Sequence, residues 1–335
     1  MTWSTKFLFG LTCLATALAA AAGLTSRQAQ ADEICCAGPP PNGTTDDAIL
    51  YADPNLRVTN ADISGNIGIA EGGGFLGSGS GTVTGQVRFA AQEPVFSPDG
   101  ITITAVPPAT FGIVNADVQA DFNAVTMLSK NLGGEPSTSI NISGGGSVNA
   151  SDGKLTTDSA GNIVFTATIV ENTDGLNPFA SGTTFTIHGS NTDRIVINIP
   201  ATGNPTTGLA FDGSIVLADG ITPDHVLFNF DAGNFMDLTG GATLVINTDG
   251  HPTTGIFLDP NGNFMITDSM IFGRVFGGGS QFDSTISSSN PSSFRTSIVA
   301  PPPFPTPEPS SLVLLGSGLA AFGMIRRRRR SIASP

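Results

Sequence analysis

In the stretch Ile101-Thr102-Ile103-Thr104, apolar and hydroxyl side chains alternate, so Ile falls on one side of an extended chain and Thr on the other. The same period of two recurs in Arg194-Ile195-Val196-Ile197-Asn198-Ile199, whose three isoleucines share a face. It recurs again where Ile163, Phe165, Ala167 and Ile169 lie opposite Val164, Thr166 and Thr168. β-Branched residues at this period predict strands. In the last third, strand-like pieces fall at 215–217, 226–230, 235–238, 244–247, 255–258, 264–267 and 270–276, with starts mostly nine to eleven residues apart. Asp-Gly pairs at Asp99, Asp152, Asp174, Asp212, Asp219 and Asp249, with Asn-Gly at Asn42 and Asn261, predict tight turns between such pieces. One segment departs from the pattern. From Ala116 to Leu132, the apolar residues Val118, Phe122, Val125, Leu128 and Leu132 recur at helical spacing, and Gly133-Gly134 is placed to cap the end. The middle of the chain is therefore all-β with one helix. Near-even strand spacing fits a sandwich, a barrel or a solenoid, and no exact repeat chooses among them.

Both ends follow other patterns. Lys6 precedes an apolar run from Phe7 to Leu24, and Ala29-Gln30-Ala31 offers an A-x-A cleavage site. These are the parts of a secretory leader, with Ala29 and Ala31 flanking the cut and Asp32 starting the mature chain. At the other end, Pro307-Glu308-Pro309 is followed by fourteen uncharged residues, Leu312 to Ile325, and then by Arg326, Arg327, Arg328, Arg329 and Arg330. As a helix the apolar run spans about 21 Å, short against a bilayer core of roughly 30 Å. Snorkelling arginines extend its reach and keep their own side cytoplasmic. The triplet, the short apolar segment and the arginine cluster, in this order, resemble the PEP-CTERM sorting signal. That resemblance implies recognition by an exosortase and cleavage near the triplet, with 312–325 as a transient membrane contact. Thr306 stands where Val is common.

A second resemblance covers about 60–286. "TDRIVINIP", "VLADGITPDHVLFNF" and "TTGIFLDPNGNFMITDSMIFGRVFGG" occur in that order, after the opening "NADISGNIGIAEGGGFLGSGSGTVTGQVRF". They look like exported β-solenoid domains of the choice-of-anchor A type and, more distantly, bacterial ice-binding adhesin domains. The resemblance implies a right-handed β-helix-like solenoid with a long helix alongside, where 116–132 fits. The expected layout is leader 1–31, N-terminal arm 32–59, solenoid-like domain 60–290, Pro/Ser-rich linker 291–305 and sorting signal 306–330.

Charge bears on partners. The full chain carries 14 Lys+Arg against 27 Asp+Glu. Lys6, Arg27 and the five tail arginines leave with the two ends, so seven basic residues face 27 acids in the mature chain, about −20. Such a surface repels nucleic acid and favours solubility. Cys35 and Cys36 are adjacent, so a bridge between them would be strained, and an exported chain could instead pair them intermolecularly. They precede Pro39-Pro40-Pro41 in the arm.

Catalytic signatures are missing: there is no Gly-x-Ser-x-Gly, no His-Glu-x-x-His, no P-loop and no Gly-x-Gly-x-x-Gly in a βαβ setting. His188, His225 and His251 have no close partners in sequence and read as strand or turn residues. Asp259-Pro260-Asn261-Gly262-Asn263 alternates oxygen ligands but lacks the later bidentate Glu of a calcium loop, so it reads as a turn. No catalytic, cofactor-binding or metal residue is assigned, and no cofactor is expected. The expected function is a non-enzymatic, exported surface or extracellular-matrix protein with a structural or adhesive role. Its processing partners are signal peptidase and an exosortase, and extracellular polysaccharide is a candidate partner. The alternatives are an ice- or surface-binding protein, using flat faces such as Thr102 with Thr104 or Val164 with Thr166 and Thr168, and a polysaccharide-degrading β-helix enzyme.

Overall fold

The computed structural model describes residues 47–301, except 53, 91–94, 105–112, 115, 143, 156–160, 169–181, 200–208, 231–242, 249, 279–282 and 293–294. Strands come three to a turn of the chain. The first turn is β1 (Asp47–Tyr51), β2 (Asn55–Thr59) and β3 (Ala61–Ser64); the second is β4 (Asn66–Ile69), β5 (Gly74–Ser78) and β6 (Gly81–Val83). The third is β7 (Val87–Phe89), β8 (Phe96–Pro98) and β9 (Ile101–Ile103), after which β10 (Ile113–Val114) leads into helix α1 (Ala116–Gly133). Beyond the helix come β11 (Thr138–Asn141), β12 (Gly146–Asn149), β13 (Lys154–Leu155), β14 (Ile163–Thr168) and β15 (Thr184–His188). Then follow β16 (Ile195–Ile199), β17 (Leu209–Phe211), β18 (Ser214–Ala218), β19 (Val226–Phe230) and β20 (Thr243–Asn247). The series closes with β21 (Pro252–Asp259), β22 (Asn263–Thr267), β23 (Met270–Gly277), β24 (Ser284–Ser287) and β25 (Thr296–Val299).

Nearly every pairing is parallel, which makes a β-solenoid with three strand stacks. The first face runs β10-β7-β4-β1-β23-β21-β19-β16-β14-β11 and the second runs β17-β20-β22-β24-β2-β5-β8. The third holds β9-β6-β3-β25 and the leading halves of β23 and β21, with β18, β15 and β12 continuing beside β21. Among the described residues only β13 pairs antiparallel, folding back on β14. The stacking order is not the chain order. The turn β23-β24-β25, last in sequence, lies against β1-β2-β3, the first.

This topology changes two expected boundaries. Residues 47–59, expected as part of an arm, form β1 and β2, and residues 296–299, expected as linker, form β25. All three strands lie inside the sheets, because Ile49, Leu56 and Ile298 are each 0% exposed. The strand expected at 235–238 lies outside the described residues.

Register stacks like on like. Phe165, Ile197, Phe228, Phe257, Val275, Ile49, Ile67 and Val87 are successive partners along the first face, and all point into the solenoid interior. Phe228 and Phe257 stack with ring centroids 5.3 Å apart. Burying each such side chain stabilises by about 1.5–3 kcal/mol, so this ladder is a main cohesive term. The first face is apolar on its outer side too. There Val164, Val196, Leu227 and Ile256 form a second ladder, covered by Val118, Phe122, Val125, Leu128 and Leu132 of α1. All five helix residues are the ones the spacing singled out. Strands buried on both sides explain the near-continuous apolar runs of β16 and β19.

Corners explain the Asn, Asp and Gly content. Between the second and third faces, Asn60 (φ 53), Gly79 (φ 74), Gly100 (φ 81) and Asp268 (φ 47) occupy the same left-handed position in four turns. Only Gly, Asn and Asp enter this region readily. At Gly79 a Cβ would sit 2.3 Å from Asn60 Oδ1. The side chains also tie one turn to the next: Asn60 Oδ1 accepts from Ser80 N, Asp62 Oδ1 from Thr82 N and Asn66 Oδ1 from Gln86 N, each 20 residues on. Asp268 Oδ1 likewise accepts from Ser289 N.

Candidate functional site

The helix is held to the first face by a buried polar contact at its C-terminal end. Asn198 Nδ2 donates to Leu132 O (2.8 Å) and Asn229 Nδ2 to Ser129 O (2.9 Å) and Asn198 Oδ1 (2.9 Å), while Ser129 Oγ donates to Asn229 Oδ1 (2.6 Å). Leu132 O belongs to the last turn, where carbonyls lack intrahelical partners. Sequence reasoning gave this role to Gly133-Gly134. Neither glycine takes the left-handed conformation; Gly134 N donates to Asn131 O (3.1 Å) and Glu135 N to Leu132 O (3.3 Å), and the asparagine ladder adds side-chain donors.

A charged group lies near the meeting of first and last turns. Arg88 Nη2 donates to both carboxylate oxygens of buried Asp47, at 2.5 and 2.6 Å. Arg274, 5% exposed, donates from Nη1 to Asp47 O (3.0 Å) and approaches Asp224 Oδ1 (3.6 Å). Burial pushes the Asp224 carboxyl above its usual range, opposed by the adjacent Arg274 guanidinium. Burial and then Arg194 push the His225 imidazole down, with Asp193 opposing. Removing one partner of such a buried pair would leave its charge stranded in the interior, the costly case for an ion pair.

The second and third faces are uncovered by α1, and register turns their outward residues into ladders. On the second face Thr267, Ser287, Thr59 and Ser78 are consecutive partners. Thr59 and Ser78 hydroxyls are 2.7 Å apart and those of Thr267 and Ser287 3.2 Å. Beside them run Met265, Thr285, Arg57 and Leu76. On the third face Ser297, Asp62, Thr82 and Thr102 are partners, beside Phe272, Val299 and Ser64. Phe272 is 39% exposed and Met265 44%. Charge interrupts both ladders: Arg57 Nε donates to Asp283 Oδ2 (2.5 Å), and Arg295 Nη1 lies 3.7 Å from Asp62.

Of the two Thr faces read from sequence, Thr102 is on the exposed third face. The other dissolves. Val164 is 0% exposed beneath α1, and the Thr166 hydroxyl is 2.6 Å from Ser137 Oγ. His188 Nδ1 lies 2.7 Å from Asp219 Oδ2, a partner not close in sequence. His225 sits on the short helical turn before β19 and His251 on the turn before β21. Residues 260–262 form a turn, as the spacing predicts. Among the described residues no three His, Cys, Asp or Glu gather as metal ligands.

The residues expected to direct processing, Ala29, Ala31, Pro307, Glu308, Pro309 and Arg326 to Arg330, lie outside the described residues, as do Cys35, Cys36 and the apolar segment 312–325. Among the described residues no helix is long and apolar enough to cross a membrane. Residues 305–330 match the PEP-CTERM protein-sorting motif. No curated protein matches the chain in sequence. Solved structures similar to it include an ice-binding protein from the Antarctic ascomycete Antarctomyces psychrotrophicus, 13% identical with TM-score 0.43, covering 77% of this chain and 95% of that one. A glycosylated ice-binding protein from an Arctic yeast is 14% identical with TM-score 0.41, covering 78% and 94%. An ice-binding protein from an Antarctic Flavobacteriaceae bacterium is 18% identical with TM-score 0.43, covering 81% of this chain and 50% of that one. Likenesses of this size say nothing of what this chain binds. The chain is a parallel β-solenoid with a PEP-CTERM sorting motif at 305–330.

Proposed function

We propose that this is a non-enzymatic surface or matrix protein, exported, processed at both ends, and structural or adhesive in role. The observation that carries the reading is the sorting motif at 305–330, which marks the chain for export and exosortase handling. Signal peptidase cuts after Ala31. The segment 312–325 then holds the chain in the inner membrane, with Arg326 to Arg330 on the cytoplasmic side. An exosortase recognises Pro307-Glu308-Pro309 and releases the domain to the cell surface or the polysaccharide-rich matrix. A solenoid with two faces that α1 leaves open suits a scaffold, and the acidic balance suits a hydrated matrix of neutral polymer. Mass spectrometry of the native protein after cell fractionation tests this: the mature chain starts at Asp32 and ends near Pro309. Recovery of Arg326 to Arg330 on the extracellular form would refute it.

A second reading, ice or surface binding, is favoured by the hydroxyl ladder Thr267-Ser287-Thr59-Ser78 on the second face. Against it stand Arg57 beside that ladder and Asp62 within the other, since charges hold their own water and break a uniform hydroxyl plane. Inhibition of ice recrystallisation by the purified mature domain would promote this reading over the first.

A further inference from the structure

The stack is built from two blocks far apart in the chain, and they meet at one seam. On the first face Ile49 pairs with Val275, on the second Leu56 with Ser284, and on the third Ala61 with Thr296. Side chains cross the seam as well. Asn55 Nδ2 and Arg57 Nε donate to Asp283 (3.0 and 2.5 Å), Ser288 Oγ donates to Asn60 O (2.9 Å), and Ser284 N donates to Tyr51 Oη (3.4 Å). Arg274 reaches the carbonyls of both Asp47 and Pro301, at 3.0 and 3.5 Å, so the first and last described residues are held by one guanidinium.

This order has a consequence for export. A chain that emerges N-terminus first displays β1, β2 and β3 as an open parallel edge until Met270–Val299 arrives. Only then can the edge be covered. The sorting motif begins at residue 305, six positions beyond Val299. We propose that the seam closes while the chain is still held at the membrane by its sorting segment, so that the cut at the tail is made on a completed solenoid. The proposal rests on the processing route given above. Two physical points support it. Joining segments some 230 residues apart costs little more entropy than joining nearer ones, because the cost grows only as the logarithm of loop length. Non-local β topologies close in about milliseconds to seconds, whereas the tail must still be found and cut by a separate enzyme. An open edge is also a template for unwanted pairing, and early closure removes it.

Thr59 and Ser287 are register partners across the seam, on the uncovered second face. Neighbouring strands lie about 4.8 Å apart, within the Cα range that admits a disulfide. The test uses the full chain with Thr59→Cys and Ser287→Cys in a Cys35→Ser, Cys36→Ser background. It is pulse-labelled in its native host, and diamide oxidises the two thiols at each chase point. The expected result is a cross-link in the leader-free species that still carries its tail. A cross-link found only in the tail-free species would overturn the proposal. Adding Gly278→Val, whose Cβ would meet the Tyr51 ring at 2.2 Å across the seam at φ +89, should abolish the cross-link in both species. Its survival would show that the link does not report this seam, and the proposal would fall. Limited proteolysis of the unsubstituted chain is the second measurement: the tailed species should already be resistant over the first three turns, and sensitivity there would count equally against closure. Fractionation separates the two claims. A tailed species absent from membranes defeats the processing route, while the order of cross-linking and tail loss still decides when the seam closes.

Discussion

Replacing Asn229 by Leu tests whether the asparagine ladder fastens the helix. Asn229 is 0% exposed and takes part in three bonds, to Ser129 O, to Asn198 Oδ1 and from Ser129 Oγ. Leu keeps the branching of Asn but is the larger side chain, so no cavity opens and the loss comes from the deserted polar groups together with some overpacking. The Ser129 hydroxyl and Asn198 Oδ1 are deserted in a dry interface, at about 1–3 kcal/mol each. The expected cost is therefore about 2–5 kcal/mol, a large share of a stability of about 5–15 kcal/mol. Adding Ser129→Ala removes one deserted group and should restore about 1–2 kcal/mol, although the same change alone destabilises. Trp3 falls in the expected leader, so urea unfolding of the domain without it is followed by circular dichroism, comparing midpoints at constant slope. A loss below about 0.5 kcal/mol for Asn229→Leu, too small for any deserted buried group, or an additive further loss on adding Ser129→Ala, would refute the reasoning.

The left-handed corner at Asn60 should tolerate Gly better than Val: Asn60→Gly loses the bond to Ser80 N, about 1 kcal/mol, and Asn60→Val adds about 1–2 kcal/mol of backbone strain, read as unfolding midpoints. Burial lowers the pKa of His225, so its stabilising contribution is present above the unfolded-state value near 6.5 and is lost as pH falls through and below it. His225→Gln should flatten the stability–pH profile on that acid side; an unchanged slope contradicts the assignment. In the tail, Gly318→Asp places a charge in the apolar run, costing about 2.5–3.5 kcal/mol on insertion scales, and should abolish membrane holding. Glu308→Ala should instead leave an uncleaved, membrane-held precursor, and normal processing of that variant would contradict the recognition role.

The strands and the helix were legible because each obeys a local period. Ile195, Ile197 and Ile199 share a face whatever they pack against, and Val118 to Leu132 keep one stripe under α1. The turn length was not legible, although it is close to 20 residues in the tied corners. Its signal is geometric: Asn60, Gly79, Gly100 and Asp268 share a conformation with three different letters. The strands at the seam were misread for a related reason. Asp47 and Arg57 give 47–59 the polarity of an arm, yet Asp47 is 0% exposed and paired with Arg88, and Arg57 reaches Asp283 across the seam. β25 has four residues amid Pro and Ser, too few to show a period.

The two candidate sites differ in the same way. The sorting motif is read by order along the chain, so Pro307-Glu308-Pro309, an apolar run and five arginines carry their meaning without a fold. The outer ladders exist only through register. Thr59 joins Ser287 from across more than 200 residues because two blocks close in one alignment, and a one-residue slip would turn Thr59 inward and Val58 out. Val58 is 0% exposed, so such a slip would move a core residue into water and a hydroxyl into the interior. The surface that the domain offers is thus set by the packing of its interior, and any change that shifts the seam alters the outer face with it.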